Sequence, residues 1–390
     1  MAYPILAAQN TWYKGSTTKD TITQINIVDN YTATGNENES WNADVDDTGS
    51  IKCYITGTIL TIAGNGSGKI ALNADSSKAF YGDTEEARFT ALTTFNGAEL
   101  LDTSEVTTMN AMFTMCSKLT GINVSNWDTS KVTNMASTFN LCQPLASLDV
   151  SNWNTENVTN MKTMFQVCTS LTSLDLSKWD VSNVVYFANM FNNSKLESLN
   201  LSGWTNTLGN ASLLYMFRDC SHLTHLDLSG WNVASKFCYQ TFKNCSALEE
   251  LNLSGLDVSV SNYMQEMFSG MSRLRKVILG SKFSFNGSGT LDEEYPDPAV
   301  LPSQSDADVP GADGKWYASD GTAYNPADIP NNVCATYFAV PDELTCDVLI
   351  KYGTLVQIAD AIRAKSNSSI KYVPTEMAAA IIELAEQIVE

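Results

Sequence analysis

Phenylalanine recurs at Phe113, Phe139, Phe165, Phe191, Phe217, Phe242 and Phe268, at intervals of 26, 26, 26, 26, 25 and 26 residues. A period of that size rules out an ordinary globule. Each unit is one supersecondary element that can bury its apolar side only against the next copy, so the units must stack into a solenoid. Two further columns keep the phase. Trp127, Trp153, Trp179, Trp204 and Trp231 form one, with Leu101 and Leu256 in its end slots. Cys116, Cys142, Cys168, Cys220 and Cys245 each follow a repeat Phe by three residues, and Ser194 fills the same slot once.

The two halves of a unit show different periods. Leu174 and Leu176 alternate with Ser173, Asp175 and Ser177, a strand pattern of period two. Val158, Met161, Met164 with Phe165, and Cys168 fall at i, i+3, i+6/i+7 and i+10, the spacing of one helix face. A Ser/Thr/Asn/Asp cluster lies between them, the residue types that cap helices and make turns. The spacing predicts an α/β repeat: a leucine-rich-repeat-like solenoid of about seven 26-residue strand-turn-helix units.

The flanks divide by composition. Residues 1–50 are rich in Thr, Asn, Asp and Gly and suit a β or irregular attachment segment. Residues 51–95 read as a β-rich cap and 96–285 as the array. Residues 286–345 are a Gly/Pro-rich loop followed by a small aromatic hairpin module around Trp316, Tyr317 and Tyr324. In 346–390, Leu355, Ile358, Ala359 and Ile362, then Met377, Ile381, Leu384 and Ile388 after Pro374, predict a helical hairpin for attachment or oligomerisation. A hairpin that small needs a partner surface, either the same chain, a sister chain in a homo-oligomer, or a larger assembly.

Because leucine replaces tryptophan in phase, the tryptophan column reads as core at a turn rather than a carbohydrate platform. On a helical layer the in-phase cysteines would stand about 10 Å apart, beyond disulfide reach, so they read as buried reduced thiols. The formal net charge of -20 opposes nucleic acid and anionic membranes as partners. No apolar run approaches a membrane span or a signal peptide, so the expectation is synthesis in a cytoplasm with no secretion route and no membrane insertion.

Chemistry is hard to place. His222 and His225 lack the further ligands a metal needs, no nucleotide, hydrolase or protease motif is present, and no cofactor is expected. No two of the 43 carboxylates stand out as a glycosidase pair. The outward strand residues form polar ladders. One runs Asn123, Asp149, Asp175, Asn200, Asp227 and Asn252; a second runs Gly121, Ser147, Ser173, Ser198, His225 and Glu250; a third is serine throughout, from Ser125 to Ser254. Two readings stay open. Asp149, Asp175, Asn200, Asp227, Asn252, His225 and Glu250 form a ligand-binding concave face, or they simply solvate an exposed sheet.

The run Leu171-Thr-Ser-Leu-Asp-Leu-Ser-Lys-Trp-Asp-Val-Ser-Asn-Val184, with Asn157-Val-Thr-Asn-Met-Lys-Thr-Met-Phe-Gln-Val-Cys168, resembles the BspA-like leucine-rich repeat of bacterial surface proteins. That resemblance covers roughly residues 51–285 and implies adhesion without catalysis. Leu355-Val-Gln-Ile-Ala-Asp-Ala-Ile-Arg-Ala-Lys365 and Ile370-Lys-Tyr-Val-Pro-Thr-Glu-Met377 are similar to a helical module of phage tail and structural proteins. Together the resemblances imply a non-enzymatic virion protein of a tail fibre or baseplate. Its expected partners are other virion proteins, through the N-terminal segment or the C-terminal helices, and a host cell-surface protein or glycan. The alternatives are a bacterial cell-surface adhesin and, more remotely, a glycan hydrolase.

Overall fold

A computed structural model describes residues 3–8, 11–81, 88–289, 291–293 and 296–341. The stack begins with β1 (Gln24–Val28), β2 (Glu39–Asn42), β3 (Lys52–Thr56), β4 (Ile59–Ala63), β5 (Ile70–Ala71), β6 (Thr94–Asn96) and β7 (Leu101–Asp102). Five of these join in the order β2-β3-β4-β1-β6, so ranges 1–50 and 51–95 share one sheet. β1 runs parallel to both β4 and β6, which aligns this sheet with the coils that follow. Trp12 ties the first residues down: it is buried, and its indole N–H donates to Ala79 O at 2.9 Å.

Coils 1 to 7 are those that carry Phe113 to Phe268. Coil 4 contributes β8 (Ser173–Asp175), coil 5 contributes β9 (Ser198–Asn200) and β10 (Thr205–Ser212), and coil 6 contributes β11 (His225–Asp227) and β12 (Asn232–Phe237). Coil 7 contributes β13 (Glu250–Leu253) and β14 (Leu256–Asp257), and β15 (Lys276–Leu279) follows. Like strands pair parallel from coil to coil: β8 with β9, β11 with β13 and β13 with β15, and β10 with β12 and β12 with β14.

The expected helix half is not helical. Among the described residues there is no α-helix, only 3-10 turns at Lys19–Thr21 and Ala98–Leu100. The strand-turn-helix reading is therefore corrected to a β-solenoid whose third side is a ladder of turns. In coil 3, Met161, Thr163, Phe165 and Val167 donate their amides across to Tyr186, Ala188, Met190 and Asn192 of coil 4. Met164, Gln166 and Cys168 close short turns onto Met161, Thr163 and Phe165. Thr163 and Val167 are left-handed, at φ 57° and 59°, which a right-handed helix cannot contain. Consecutive turns send a side chain inward every three or four residues, and that mimics the apolar spacing of a helix. The helical hairpin expected at 346–390 lies outside the described residues.

The in-phase columns form one continuous core. Phe113, Phe139, Phe165, Phe191, Phe217, Phe242 and Phe268 stack with centroids 5.4–6.1 Å apart, each fully buried and each contributing about 2–3 kcal/mol by transfer from water. The repeat cysteines are free and buried. Each thiol donates to the carbonyl of a Phe one coil earlier, as Cys142 does to Phe113 O at 3.1 Å and Cys245 to Phe217 O at 3.0 Å. The expected separation on a helical layer does not explain this, because the coils are spaced as a sheet. Burial pushes the Cys116, Cys168 and Cys220 thiols up to about 12, which leaves them without thiolate reactivity.

The C-terminal module closes the stack. β16 (Trp316–Ala318), β17 (Ala323–Tyr324) and β18 (Ala335–Phe338) pair antiparallel, and β18 also pairs with β15. The ladder's open edge is thereby covered by a strand of the same chain, which guards it against stray pairing.

Candidate functional site

The strand face puts all seven predicted residues on the outward side of successive coils, but it holds them differently. Asp149, Asp175, Asn200, Asp227 and Asn252 each accept the amide N–H of the serine two residues on. The distances are 3.1 Å to Ser151, 3.0 Å to Ser177, 3.2 Å to Ser202, 2.8 Å to Ser229 and 3.1 Å to Ser254. These are Asx turns that close each strand. The Asp/Asn and Ser ladders are therefore one device, repeated because every coil must turn at the same place. Hydrogen bonds from the Ser151 side chain and backbone hold the Asp149 carboxyl below its ordinary range. The Ser177 backbone and side chain do the same for Asp175.

His225 and Glu250 have no such duty. Strand register places His225 beside Glu250 and Glu250 beside Lys276. His225, Asp227, Glu250, Asn252, Lys276 and Ile278 line a shallow depression of about 260 Å³. The Lys276 ammonium lies 5.6 Å from the centre of the Phe338 ring. The ladder reading stopped at coil 7 and missed Lys276 and Ile278, although both continue the columns 26 residues after Glu250 and Asn252. Phe338 had no sequence signal, since antiparallel pairing brings it in from the closing module. A second depression, over Ile122, Ser147, Asp149 and Ser173, carries only small polar groups and one carboxylate besides its apolar lining.

The turn-ladder face is the other outward surface, and sequence reasoning passed over it because a helix was expected there. One of its columns runs Thr108, Asn134, Asn160, Tyr186, Ser212, Phe237 and Tyr263, joined from coil to coil by parallel bridges. Around its aromatic end, Tyr215 and Tyr239 meet edge to face at 5.4 Å, and Phe237 and Tyr263 stand 5.1 Å apart. The Arg218 guanidinium lies 5.5 Å from the Tyr215 ring centre. Arg218 pairs with Asp219 at 3.2 Å, and Lys243 pairs with Glu266.

Among the described residues, no three His, Cys, Asp or Glu side chains are grouped to hold a metal ion, and no helix is long and apolar enough to cross a membrane. His222 Nδ1 and His225 Nδ1 instead face the hydroxyls of Ser221 and Thr224, at 3.1 and 3.0 Å. A family model described as "Mycoplasma protein of unknown function, DUF285" matches residues 83–204 and again 172–282, overlapping stretches of the repeat array. No curated protein and no solved structure matches the chain.

Proposed function

Because the chain belongs to the DUF285 family, whose description assigns no function, we propose its role from its own side chains: a non-enzymatic recognition protein of a phage particle, part of a tail fibre or baseplate, whose solenoid holds its last coils against a host surface. One observation carries the reading. On the turn ladder, outward positions that hold Thr, Asn, Ala, Ser or Gln in coils 1 to 3, with Lys162 the exception, take Tyr, Phe, Arg and Lys at several places in the later coils, and the strand face of coils 6 and 7 takes His and Glu. The repeat is its own control: the ladder of turns with its coil-to-coil hydrogen bonds forms with either kind of side chain, so the large ones are not needed for that ladder. Tyr and Arg are the side chains that dominate binding hot spots. The resemblance of residues 346–390 to phage structural proteins supports placement on a particle, with the ends of the chain as its attachment.

The resemblance of the repeat to bacterial surface proteins favours a second reading, a cell-surface adhesin. Mass spectrometry of gradient-purified particles, beside washed cell envelopes, separates the two. The chain is expected in particles at a stoichiometric ratio to other tail proteins. Its presence in envelopes alone would overturn the virion placement and leave the adhesin.

A further inference from the structure

We propose that the contact surface is the turn-ladder face of coils 4 to 7, and that it takes an uncharged, extended polysaccharide. This rests on the recognition reading above and adds to it the face and the class of ligand.

The aromatic column supplies the platform. Tyr186, Phe237 and Tyr263 occupy one register position in coils 4, 6 and 7, with Ser212 between the first two. Tyr239 stands in the neighbouring column, where earlier coils have Asn110, Ala136, Lys162, Ala188 and Leu214. Tyr186 is 51% exposed, which is costly for a ring with no structural task. At about 4.8 Å per coil, the column from Tyr186 to Tyr263 is about 14 Å long. That span fits several consecutive rings of a linear polymer. Aromatic faces pack on the apolar C–H faces of sugar rings. The Tyr263 hydroxyl donates to Asp292 at 2.8 Å and the Tyr239 hydroxyl accepts from Gln240 at 2.9 Å, so these two residues offer ring surface.

Electrostatics selects the charge of the ligand. The cations Arg218 and Lys243 are neutralised within the face by Asp219 and Glu266, and the Lys236 ammonium lies 5.3 Å from the centre of the Phe237 ring. The chain as a whole carries -20 and repels polyanions. A hydroxyl-rich neutral chain avoids both difficulties. Gln240 adds a hydrogen-bonding group: its amide nitrogen donates to Tyr239 Oη at 2.9 Å and to Glu266 at 3.1 Å. Its amide oxygen, on a side chain 5% exposed, has no partner among the described residues, an acceptor beside Tyr239 that lacks a donor. The strand face differs, since its depression carries the unlike charges of Glu250 and Lys276.

The test uses the full chain on immobilised neutral cell-wall polysaccharide, with polyanionic teichoic acid and a cell-surface protein extract as the other arms. The turn-face variant combines Tyr186→Asn, Phe237→Ser and Tyr239→Ala, each residue being one found in the same column of another coil. The strand-face variant combines His225→Ser and Glu250→Ser on the same logic. Unchanged thermal unfolding of both variants is the check that they fold. The expected result is binding to the neutral polysaccharide that is insensitive to salt. The turn-face variant should lose it by about tenfold or more, and the strand-face variant should keep it. Loss only in the strand-face variant overturns the assigned face and leaves the recognition reading standing. Binding confined to teichoic acid or protein overturns the ligand class. A chain that binds none of the three and is absent from particles overturns the recognition reading, and this inference with it.

Discussion

Coils 2 to 4 and coils 5 to 7 bury matching columns of side chains, yet they leave the strand face by different turns. In coils 2 to 4 the residue before the column tryptophan is Asn126, Asn152 or Lys178; in coils 5 to 7 the corresponding residue is Gly203, Gly230 or Gly255. A Cβ at these glycines would lie 2.1 Å from Ser177 O, 2.3 Å from Ser202 O and 1.9 Å from Trp231 O. The later coils thus pack backbone on backbone where the earlier ones leave room for a side chain. The next segment differs in step. Asp128, Asn154 and Asp180 close Asx turns onto Ser130, Glu156 and Ser182, whereas coils 5 and 6 run on as the longer strands β10 and β12. Coil 7 combines the glycine with the Asx turn, Asp257 accepting the Ser259 N–H at 3.0 Å. The array is a regular spacer joined to a more tightly packed end, and most of the outward aromatic and paired charged side chains lie on that end, Tyr186 and the Lys131–Glu105 pair being outside it.

The sharpest way to break this comparison is to exchange the two turns. Gly230→Asn imports the residue of coils 2 and 3 into coil 6, where the Ser202 carbonyl cannot move without its whole coil. A loss of about 3 kcal/mol is expected from overpacking, read from urea unfolding. Asn152→Gly in coil 3 should cost less than about 1 kcal/mol, the entropy of one added glycine. Equal effects would mean that the two halves share one turn geometry after all.

The tryptophan column gives the next contrast. Trp153 Nε1 donates to Val124 O at 3.0 Å, and Trp127, Trp179 and Trp204 make the same bond. The Trp231 indole nitrogen is buried without a partner among the described residues. Trp153→Phe therefore loses a hydrogen bond, with the Val124 carbonyl keeping the Trp127 N–H, whereas Trp231→Phe removes an unsatisfied donor. Trp153→Phe should be the more damaging by about 1–2 kcal/mol, again by urea unfolding. Matching losses would place a partner on Trp231 in solution.

These contrasts mark where the sequence was legible. The Phe, Trp and Cys columns were readable because burial dictates residue type at every coil, and the structure buries all of them. The turn ladder was misread because Val158, Met161, Phe165 and Cys168 satisfy a helix template as well as they satisfy successive inward turns. Only backbone angle separates the two, and the left-handed positions Thr163 and Val167 carry residues that give no hint of it. The seven strand-face candidates were correctly placed outward by alternation. Their serine partners two residues on were also visible, and an Asx turn could have been read from that spacing. The tie between β18 and β15 was not legible, since nothing local specifies a pairing across that many residues.

Left-handed positions sharpen the comparison at a smaller scale. Met115, Leu141 and Val167 hold the second left-handed site of coils 1 to 3, at φ 62°, 62° and 59°; Asn193, Asp219, Asn244 and Gly270 hold it in coils 4 to 7. A β-branched residue is poorly suited there, while Asn tolerates it. Val167→Asn should stabilise the chain by about 1 kcal/mol, and Asn193→Val should destabilise it by a similar amount. Thermal unfolding of both variants checks the pair. No gain from Val167→Asn would show that burial of the Met115, Leu141 and Val167 stripe offsets its backbone cost.

The smallest effect is on pH. Asp149 and Asp175 close their turns in coils 3 and 4 with a titrating group, whereas Asn200 and Asn252 close the same turn in coils 5 and 7 with a neutral amide. Hydrogen bonds from Ser151 and Ser177 hold both carboxyls below the ordinary range. In the unfolded chain an aspartate titrates near pH ~3.9. A carboxyl whose folded value is lower contributes stability above that pH, and the contribution is lost as the pH falls through the folded value. Because both groups are exposed, solvent screening keeps the effect slight. The double variant Asp149→Asn, Asp175→Asn retains the acceptors and removes the protons. It should match the parent near neutral pH and unfold at a lower pH, with the curves separating only below about pH 4. Equilibrium unfolding followed against pH reads this directly. Superimposed acid limbs would mean that protonating these two carboxyls costs the folded chain nothing, and the distinction between charged and neutral turns would then carry no energetic weight.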